Sequence, residues 1–366
     1  MAQAVQDITG NGKRPLIVTD PTMVKLGNLE KLTTLLENNQ IPYAVWAGVN
    51  REPDDRMILA GAAEYLKNQC DCLIALGGGS AIDSMKAVGL MSRSKQPVAS
   101  YMGKQIQGEL PHMAAIPTTA GTGSEATKFT IINDTSSKIK MLLTGECLMP
   151  DLAIVDPQFT MTAPKSVTAA TGIDALCHCT EAFTSRKAQP LSDTFALSAA
   201  KRIFNNLRTC YNEPENEEAR IQMSLAATEA GISFNNSSVT IVHGMSRPIG
   251  ALFHIAHGLS NAILLESCMR FAVDGGYERF GALSRSLGFS TSTDDKEASQ
   301  VFIEKEAQLL KDLNIPTMSE LGIDHAVYEA NITKMAQDAF ASGSPSNTIK
   351  EVTVEDMEKL YREIYR

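Results

Sequence analysis

The sequence predicts a two-part protein: an N-terminal α/β domain with a mostly parallel sheet, followed by an all-helical domain. Short apolar runs alternate with helical patterns up to about residue 164, which is the order of a parallel α/β sheet. Beyond that point, long stretches with helical patterning are punctuated by Gly, Pro and Asn. The chain has 366 residues, and a single hydrophobic core rarely supports a chain of this length. We therefore expect domains at 1–160 and 161–366.

The elements follow in order from these patterns. We predict five β-strands at 16–20, 43–48, 72–78, 113–119 and 152–156. Between the first three strands, helical patterns cover 29–38 and 57–69. In the second half, we predict helices at 166–185, 191–206, 219–235 and 298–313.

Composition excludes several classes of function. The chain carries 33 basic and 42 acidic residues, a net charge of −9, which disfavours binding to nucleic acids and to anionic membranes. We find no apolar run long enough to span a membrane and no signal-peptide pattern in residues 1–15. Seven cysteines without a CxxC pair favour reduced thiols. We expect a cytoplasmic protein.

Three glycines open the segment GGGSAIDSMKA, residues 77–87, directly after a predicted buried strand. Glycines between a strand and a helix let backbone N–H groups approach a phosphate, and the helix N-terminus favours its negative charge. The alternative is a tight turn into a helix capped by Ser80 and Asp83. A second small-residue loop, IPTTAGTGSEAT at 116–127, follows another strand, and two such loops favour a dinucleotide. The usual G-x-G-x-x-G order is absent.

A candidate metal site lies in the second half. In TGIDALCHCTEAF, Asp174 and His178 are four residues apart and share one face of a helix. Further along, VHGMSRPIGALFHIAHG contains His243, His254 and His257. Carboxylate and imidazole suit Fe²⁺ or Zn²⁺ but not Ca²⁺ or Mg²⁺. Spacing alone leaves a surface ion pair open for the first two residues, and the intervening Pro and Gly prevent us from placing the last histidines on one face.

Four segments together resemble the iron-containing (group III) alcohol dehydrogenases. Their motifs are most similar to those of the lactaldehyde reductase and 1,3-propanediol dehydrogenase branches. They are GGGSAIDSMKA, IPTTAGTGSEAT, AATGIDALCHCTEAF and HGMSRPIGALFHIAHGLSNAILL. The resemblance covers nearly the whole chain. It implies a dehydroquinate synthase-like fold and a metal-dependent, NAD(H)-linked interconversion of small alcohols and aldehydes. It also implies a homo-oligomer, a dimer or larger, with a small-molecule substrate and no nucleic-acid or membrane partner.

The resemblance also implies site residues. Asp174, His178, His243 and His257 match the four metal ligands, for Fe²⁺ or alternatively Zn²⁺. An acid at Asp20 would contact the adenine ribose and favour NAD over NADP, since a carboxylate repels a 2′-phosphate. The remaining cofactor-binding positions implied by the motifs are Gly78, Gly79, Ser80, Thr118, Thr119, Thr122, Thr127 and Lys140.

Two residues depart from the family pattern in the catalytic region. Arg247 stands where the nearest branches usually carry His, and it either makes a structural contact or recognises an anionic aldehyde. His254 either replaces the missing proton relay or caps a helix. We therefore name both as candidate catalytic residues. The alternative functions are a zinc glycerol dehydrogenase-like enzyme or a dehydroquinate synthase-like lyase on the same fold, and a non-catalytic nucleotide sensor.

Overall fold

The computed structural model describes residues 2–137 and 139–365. Its internal contacts divide the chain into two compact units. The first unit comprises the residues up to Thr119 together with Gly123–Ala163, and the second comprises Ala120–Thr122 and the chain from Pro164 on. The fold class predicted from the sequence, α/β followed by all-helical, is confirmed. The division into domains at 160 and 161 stays a prediction.

The first unit is built on a five-stranded parallel sheet with the strand order β2-β1-β3-β4-β7. All five predicted strands form this sheet, each within a few residues of its expected bounds. They are β1 (Pro15–Thr19), β2 (Ala44–Trp46), β3 (Cys72–Gly77), β4 (His112–Pro117) and β7 (Leu152–Ala153). The central strand β3 pairs with its neighbour β4 in register from Cys72–His112 to Gly77–Pro117, so the glycine segment and the loop after β4 leave the sheet side by side.

Alternate side chains of the sheet enter two different apolar clusters. Leu73 and Ala75 belong to one cluster, and Ile74 and Leu76 belong to the other. A sheet that is covered on both faces needs continuous apolar strands, which explains why β3 reads as an unbroken apolar run. The helices of this unit are α1 (Ala2–Thr9), α2 (Pro21–Lys25), α3 (Asn28–Asn38), α4 (Asp55–Lys67) and α5 (Gly79–Arg93).

An antiparallel hairpin, β5 (Phe129–Asp134) and β6 (Ile139–Thr144), forms a second small sheet that sequence analysis did not predict. A buried lysine of α5 ties the chain before β5 in place. Lys86 Nζ donates hydrogen bonds to the carbonyl oxygens of Ser124, Thr127 and Phe129 at 2.7–2.8 Å. Burial lowers the pKa of Lys86 to about 8, although the charge of Asp83 opposes this shift. The lysine thereby fixes the loop that follows β4.

The second unit contains helices and one apolar core. The four long helices predicted here are confirmed. The helices are α6 (Lys165–Thr184), α7 (Pro190–Asn212), α8 (Glu217–Asn236), α9 (Ile241–Phe253), α10 (His257–Ala272), α11 (Tyr277–Ser286), α12 (Asp295–Asp312), α13 (His325–Ala341) and α14 (Val354–Ile364). Pro248 does not end α9, which continues to Phe253, and the break falls instead at residues 254–256.

Two further observations bear on the sequence predictions. All seven cysteines are free thiols, and six of them are buried. Cys177 and Cys179, which flank His178, lie in the apolar core. Within the described residues, none of the helices combines the length and apolar character needed to cross a membrane.

Candidate active site

The glycine segment brings backbone close to two neighbours. A Cβ at Gly77 would lie 2.6 Å from the Cβ of Ala81, and one at Gly78 would lie 3.3 Å from the Oγ1 of Thr119. The predicted helix cap by Ser80 and Asp83 is wrong. Gly78 is the N-cap of α5 and supplies no side-chain hydrogen bond, while Asp83 accepts hydrogen bonds from Ser124 Oγ and the Ile131 N–H. The peptide N–H groups of the first helical turn, which have no intrahelical acceptor, are thus left without a side-chain cap.

The loop after β4 lies against this segment, as the neighbouring strands require. Thr118 donates its N–H to the carbonyl oxygen of Gly77 at 3.0 Å, and Thr119 borders Gly78. Thr127 is occupied elsewhere, since its Oγ1 and its carbonyl oxygen both contact Lys86 Nζ. Thr122 is assigned to the second unit. The structure therefore brings Gly77 and Gly78, at the start of the glycine segment, together with Thr118 and Thr119.

Asp20 follows β1 and faces the same segment. Its Oδ1 accepts hydrogen bonds from the N–H groups of Thr22 and Met23 at 2.7 and 3.0 Å, so the residue caps α2. Its other oxygen, Oδ2, lies 3.3 Å from the position that a Cβ on Gly77 would take. This arrangement leaves one carboxylate oxygen directed towards the glycines. Lys140, by contrast, forms an ion pair with Glu52 at 2.8 Å.

Four predicted metal ligands converge in the second unit. Asp174 Oδ1 lies 4.0 Å from His178 Nε2, 3.6 Å from His243 Nε2 and 3.8 Å from His257 Nε2. Ligand atoms about 2.1 Å from a tetrahedral ion would be about 3.4 Å apart. The three separations from Asp174 therefore suit one divalent ion if the side chains move slightly closer together. Potential ligand atoms of Asp174, His178 and His243 all lie within 4.8 Å of one another.

The helices explain why these side chains meet. Asp174 and His178 lie one turn apart on α6, and His257 is the first residue of α10. The adjacent Gly258 permits the approach, because a Cβ there would lie 2.7 Å from the carbonyl oxygen of Ala170 on α6. The His178 ring stacks on Phe234 with 4.3 Å between ring centroids. The surface ion pair considered for Asp174 and His178 is therefore wrong, since both side chains are at least 95% buried.

Sequence analysis missed Glu181, which orients one of the ligands. Its Oε2 accepts a hydrogen bond from His243 Nδ1, while its Oε1 accepts hydrogen bonds from Thr240 Oγ1 and from the Val242 N–H, each at 2.7 Å. A carboxylate on the far ring nitrogen fixes the tautomer that leaves Nε2 free for a metal. The signal was present in the sequence, since Glu181 follows His178 by three residues and shares its helix face.

A second missed residue is Asn261, one turn after His257 on α10. Its Nδ2 donates to Asp174 Oδ1 at 2.6 Å and lies 3.1 Å from His243 Nε2 and 3.3 Å from His257 Nε2. Its Oδ1 is buried without a hydrogen-bond partner. The amide thus contacts three of the four predicted ligands, and Asn261 is part of the same buried polar cluster.

Electrostatics at this cluster favour a positive charge. Burial opposes ionisation of Asp174, but the neighbouring imidazoles outweigh it and hold its pKa well below the usual range. Burial lowers the pKa of His178 to about 3. Burial also acts to lower the pKa of His243, yet the carboxylates of Glu181 and Asp174 raise it to about 9. Two ionised buried carboxylates thus attract a proton to His243 or a cation to the ligand atoms.

The two candidate catalytic residues lie on or just after α9. Arg247 is one turn after His243, is partly buried, and makes no hydrogen bond or ion pair with any residue that the structure describes. His254 is the C-cap residue of α9 with left-handed backbone angles, φ 55° and ψ 29°, and its side chain is exposed. A catalytic role for either residue stays a prediction.

Comparisons with known proteins agree with these observations. A family model described as "Iron-containing alcohol dehydrogenase" matches residues 1–157, and one described as "Fe-containing alcohol dehydrogenase family, C-terminal" matches residues 168–365. The chain is 32% identical over 358 residues to a choline dehydrogenase of Bacillus subtilis (strain 168), covering 96% of this chain and 87% of that protein.

Solved structures of the same kind superpose closely. A crystal structure of 1,3-propanediol oxidoreductase has a TM-score of 0.94 at 30% identity, covering 99% of this chain and 94% of the other. The sulfoacetaldehyde reductase of Bifidobacterium kashiwanohense in complex with NAD⁺ has a TM-score of 0.88 at 27% identity, covering 99% and 93%. With two family models that together span most of its length, this chain belongs to the iron-containing alcohol dehydrogenase family of oxidoreductases.

Proposed function

We propose that this protein is a metal-dependent, NAD(H)-linked alcohol dehydrogenase or aldehyde reductase that acts on small alcohols or aldehydes. The observation that carries the proposal is the convergence of three histidine Nε2 atoms within 4.0 Å of one buried carboxylate oxygen, that of Asp174. The reaction removes a hydride and a proton from an alcohol, giving a carbonyl compound, NADH and H⁺, or runs in reverse.

The metal is Fe²⁺, with Zn²⁺ as the alternative, since imidazole and carboxylate ligands suit both. Asp174, His178, His243 and His257 would hold the ion, and one carboxylate with three neutral imidazoles leaves it a net positive charge. A divalent ion held there supplies Lewis acidity to the substrate oxygen. The His257 side chain is 31% exposed while the other three ligands are nearly buried, so a substrate has access at the His257 side.

NAD is the cofactor that the first unit fits best. Gly78, Gly79 and Ser80 would hold its pyrophosphate at the start of α5, where no side chain competes for the free N–H groups. The loop residues Thr118 and Thr119, and more remotely Thr122, Thr127 and Lys140, would complete the cofactor site. Asp20 would contact the adenine ribose through its Oδ2 and disfavour a 2′-phosphate. The similar sulfoacetaldehyde reductase was solved with NAD⁺, which supports this choice.

Two further parts of the proposal concern proton transfer and the setting of the enzyme. The exposed imidazole of His254 would exchange a proton with solvent during the reaction. We also propose that the enzyme is a homo-oligomer, a dimer or larger. We propose that it is cytoplasmic, which the free thiols of all seven cysteines support. The alternative glycerol dehydrogenase-like and lyase enzymes typically use three protein ligands, so a fourth ligand at His257, 3.8 Å from Asp174 Oδ1, would favour the proposed function.

The test is an NADH oxidation assay on anaerobically purified protein with propanal or another short neutral aldehyde, run beside a measurement of bound iron and zinc per chain. We expect stoichiometric metal and aldehyde-dependent oxidation of NADH. Metal-loaded protein that binds NADH but reduces no aldehyde, and oxidises no alcohol with NAD⁺, would overturn the proposal.

A further inference from the structure

A partly buried arginine that forms no hydrogen bond or ion pair with a described residue follows one of the predicted metal ligands by one helical turn. Arg247 lies on the face of α9 that also carries His243, and residues four apart on a helix have Cβ atoms about 5–6 Å apart. Cα–Cβ bonds in a helix lean towards its N-terminus, so the Arg247 side chain leaves α9 on the side of the turn that carries His243. It lies near enough to Glu181, the carboxylate that holds His243, for the charge of Glu181 to raise the pKa of Arg247 against the effect of burial.

Other partly buried arginines of the second unit are paired. Arg202 forms an ion pair with Glu229 at 3.1 Å, Arg279 forms one with Asp193 at 2.8 Å, and Arg285 forms one with Asp295 at 2.5 Å. Taking a guanidinium out of water is costly unless hydrogen bonds or an opposite charge compensate. Arg247 forms no hydrogen bond or ion pair with any described residue, and the charge of Glu181 only partly offsets its burial, so its guanidinium donors stay available to a ligand.

Both carboxylates of the buried histidine cluster are already committed. Glu181 binds His243, Thr240 and Val242, and it is fully buried. Asp174 accepts a hydrogen bond from Asn261 and faces three imidazoles. A guanidinium presents five donors in a planar fork that matches carboxylate or sulfonate geometry. The unused donors of Arg247 therefore suit an anion that arrives from solution.

We propose that Arg247 binds the acidic group of the substrate, and that the preferred substrates are small aldehydes or alcohols with a carboxylate or sulfonate one to three carbons from the reacting carbon. The inference rests on the proposed function, because the reacting oxygen is placed at the cluster of Asp174 and the three histidines. The arginine fork then fixes the other end of the substrate. Neutral substrates of the same length lack this second contact and bind more weakly.

The experiment compares succinic semialdehyde, which carries a carboxylate, with butanal, its neutral counterpart of equal chain length. Steady-state NADH oxidation is measured for the wild type and for the variants Arg247→Gln and Arg247→Lys. We expect Arg247→Gln to lower kcat/KM for succinic semialdehyde roughly 10- to 100-fold more than for butanal, as for loss of a charge-assisted hydrogen bond. Arg247→Lys keeps the charge but loses the planar fork of donors, so its kcat/KM for succinic semialdehyde should lie between those of the wild type and Arg247→Gln. Arg362→Gln, which removes an exposed arginine of α14, serves as the control and should change neither value.

A second readout does not depend on turnover. Propanesulfonate should raise the Tm of the wild type progressively as its concentration is increased, whereas 1-propanol should not, and Arg247→Gln should abolish the difference. If the wild type reduces butanal and Arg247→Gln lowers kcat/KM equally for both substrates, or for neither, the inference about Arg247 is wrong while the proposed function stands. If the metal-loaded wild type reduces neither these aldehydes nor propanal and oxidises no alcohol with NAD⁺, the proposed function fails, and the Tm measurement alone decides whether Arg247 binds anions.

Discussion

Glu181 accepts a hydrogen bond from the Nδ1 of His243 in the interior of the second unit, where both side chains are at least 95% buried. The same carboxylate is held by Thr240 and by the N–H of Val242, both on the chain that enters α9. The helix carrying Asp174 and His178 therefore also fixes the ring of a ligand from another helix. This arrangement explains how residues 60 or more positions apart in sequence form one site.

We predict that Glu181→Gln weakens metal binding by about 10- to 100-fold, as for loss of a carboxylate behind a histidine ligand. The amide donates as readily as it accepts, so it no longer enforces the Nδ1–H tautomer of His243. Competition with a chelating dye measures the Kd for Zn²⁺ directly. The matched control is Glu229→Gln, which removes a carboxylate of α8 that pairs with Arg202. Equal affinity in Glu181→Gln and the wild type would show that the hydrogen bond does not position the ligand.

The preference for NAD over NADP should depend on the charge of Asp20. We predict that Asp20→Asn raises the ratio of kcat/KM for NADPH to that for NADH by at least roughly tenfold, since charges about 4 Å apart near a protein surface interact by about 4 kcal/mol before screening. Asparagine caps helices as well as aspartate does, so α2 should remain intact and Tm should be little changed. Asp20→Gly should shift the ratio in the same direction.

Another N-cap aspartate provides the control for that experiment. Asp54 caps α4 through the N–H of Met57 at 2.8 Å, and Asp54→Asn should leave the cofactor ratio as it is in the wild type. A ratio that does not move in Asp20→Asn would mean that the carboxylate lies away from the ribose.

The buried carboxyl group of Glu306 on α12 should make stability depend on pH. Both of its oxygens are buried without a hydrogen-bond partner, and burial raises its pKa well above the usual value of 4.5. Between the unfolded and folded pKa values, the unfolded state has lost this proton while the folded state keeps it. Stability therefore falls as pH rises above about 4.5, by up to about 1.4 kcal/mol for each pH unit.

We predict that Glu306→Met raises Tm at pH 7.5 and that the gain over the wild type shrinks as the pH is lowered towards 5. Methionine has a similar length and needs no hydrogen-bond partner in an apolar core. Glu304→Met, which replaces an exposed glutamate of the same helix, is the control and should show no such dependence. A gain in Tm that is constant between pH 5 and 7.5 would indicate a packing effect rather than the titration of Glu306.

The sequence was most informative where local pattern and tertiary structure agree. All five strands of the parallel sheet could be predicted, because a strand covered on both faces must be apolar throughout, as in the run from Cys72 to Leu76. The β5–β6 hairpin was missed because its strands are half-exposed, so neither forms a continuous apolar run. The cap of α5 was mistaken because Asp83 bonds to Ser124, a partner 41 residues away.

The candidate metal ligands could be named by resemblance, but their convergence could not be derived from spacing. We expected Pro248 and Gly250 to interrupt the second segment, yet α9 continues through both residues and the break that separates α9 from α10 lies at 254–256. Glu181 and Asn261 act through tertiary hydrogen bonds over 62 and 87 residues, respectively, and no local periodicity reports such contacts.

We predict that His257→Ala lowers the bound metal by at least tenfold while the far-ultraviolet circular dichroism spectrum of the wild type is retained. The imidazole is the most exposed of the four predicted ligands and packs little core, so its removal should not unfold α10. Inductively coupled plasma mass spectrometry of dialysed protein gives the metal per chain. His325→Ala, which removes an exposed imidazole of α13, should keep full metal content. Full metal content in His257→Ala would remove this histidine from the ligand set.

The most direct measurement is the rate of NADH oxidation with an aldehyde substrate by protein that has been stripped of metal with a chelator, before and after Fe²⁺ or Zn²⁺ is restored anaerobically. We predict that the stripped protein still binds NADH but is at least a thousandfold slower, as expected when several kcal/mol of charge stabilisation are lost, and that one equivalent of metal per chain restores the rate. Undiminished turnover by fully stripped protein would contradict the account.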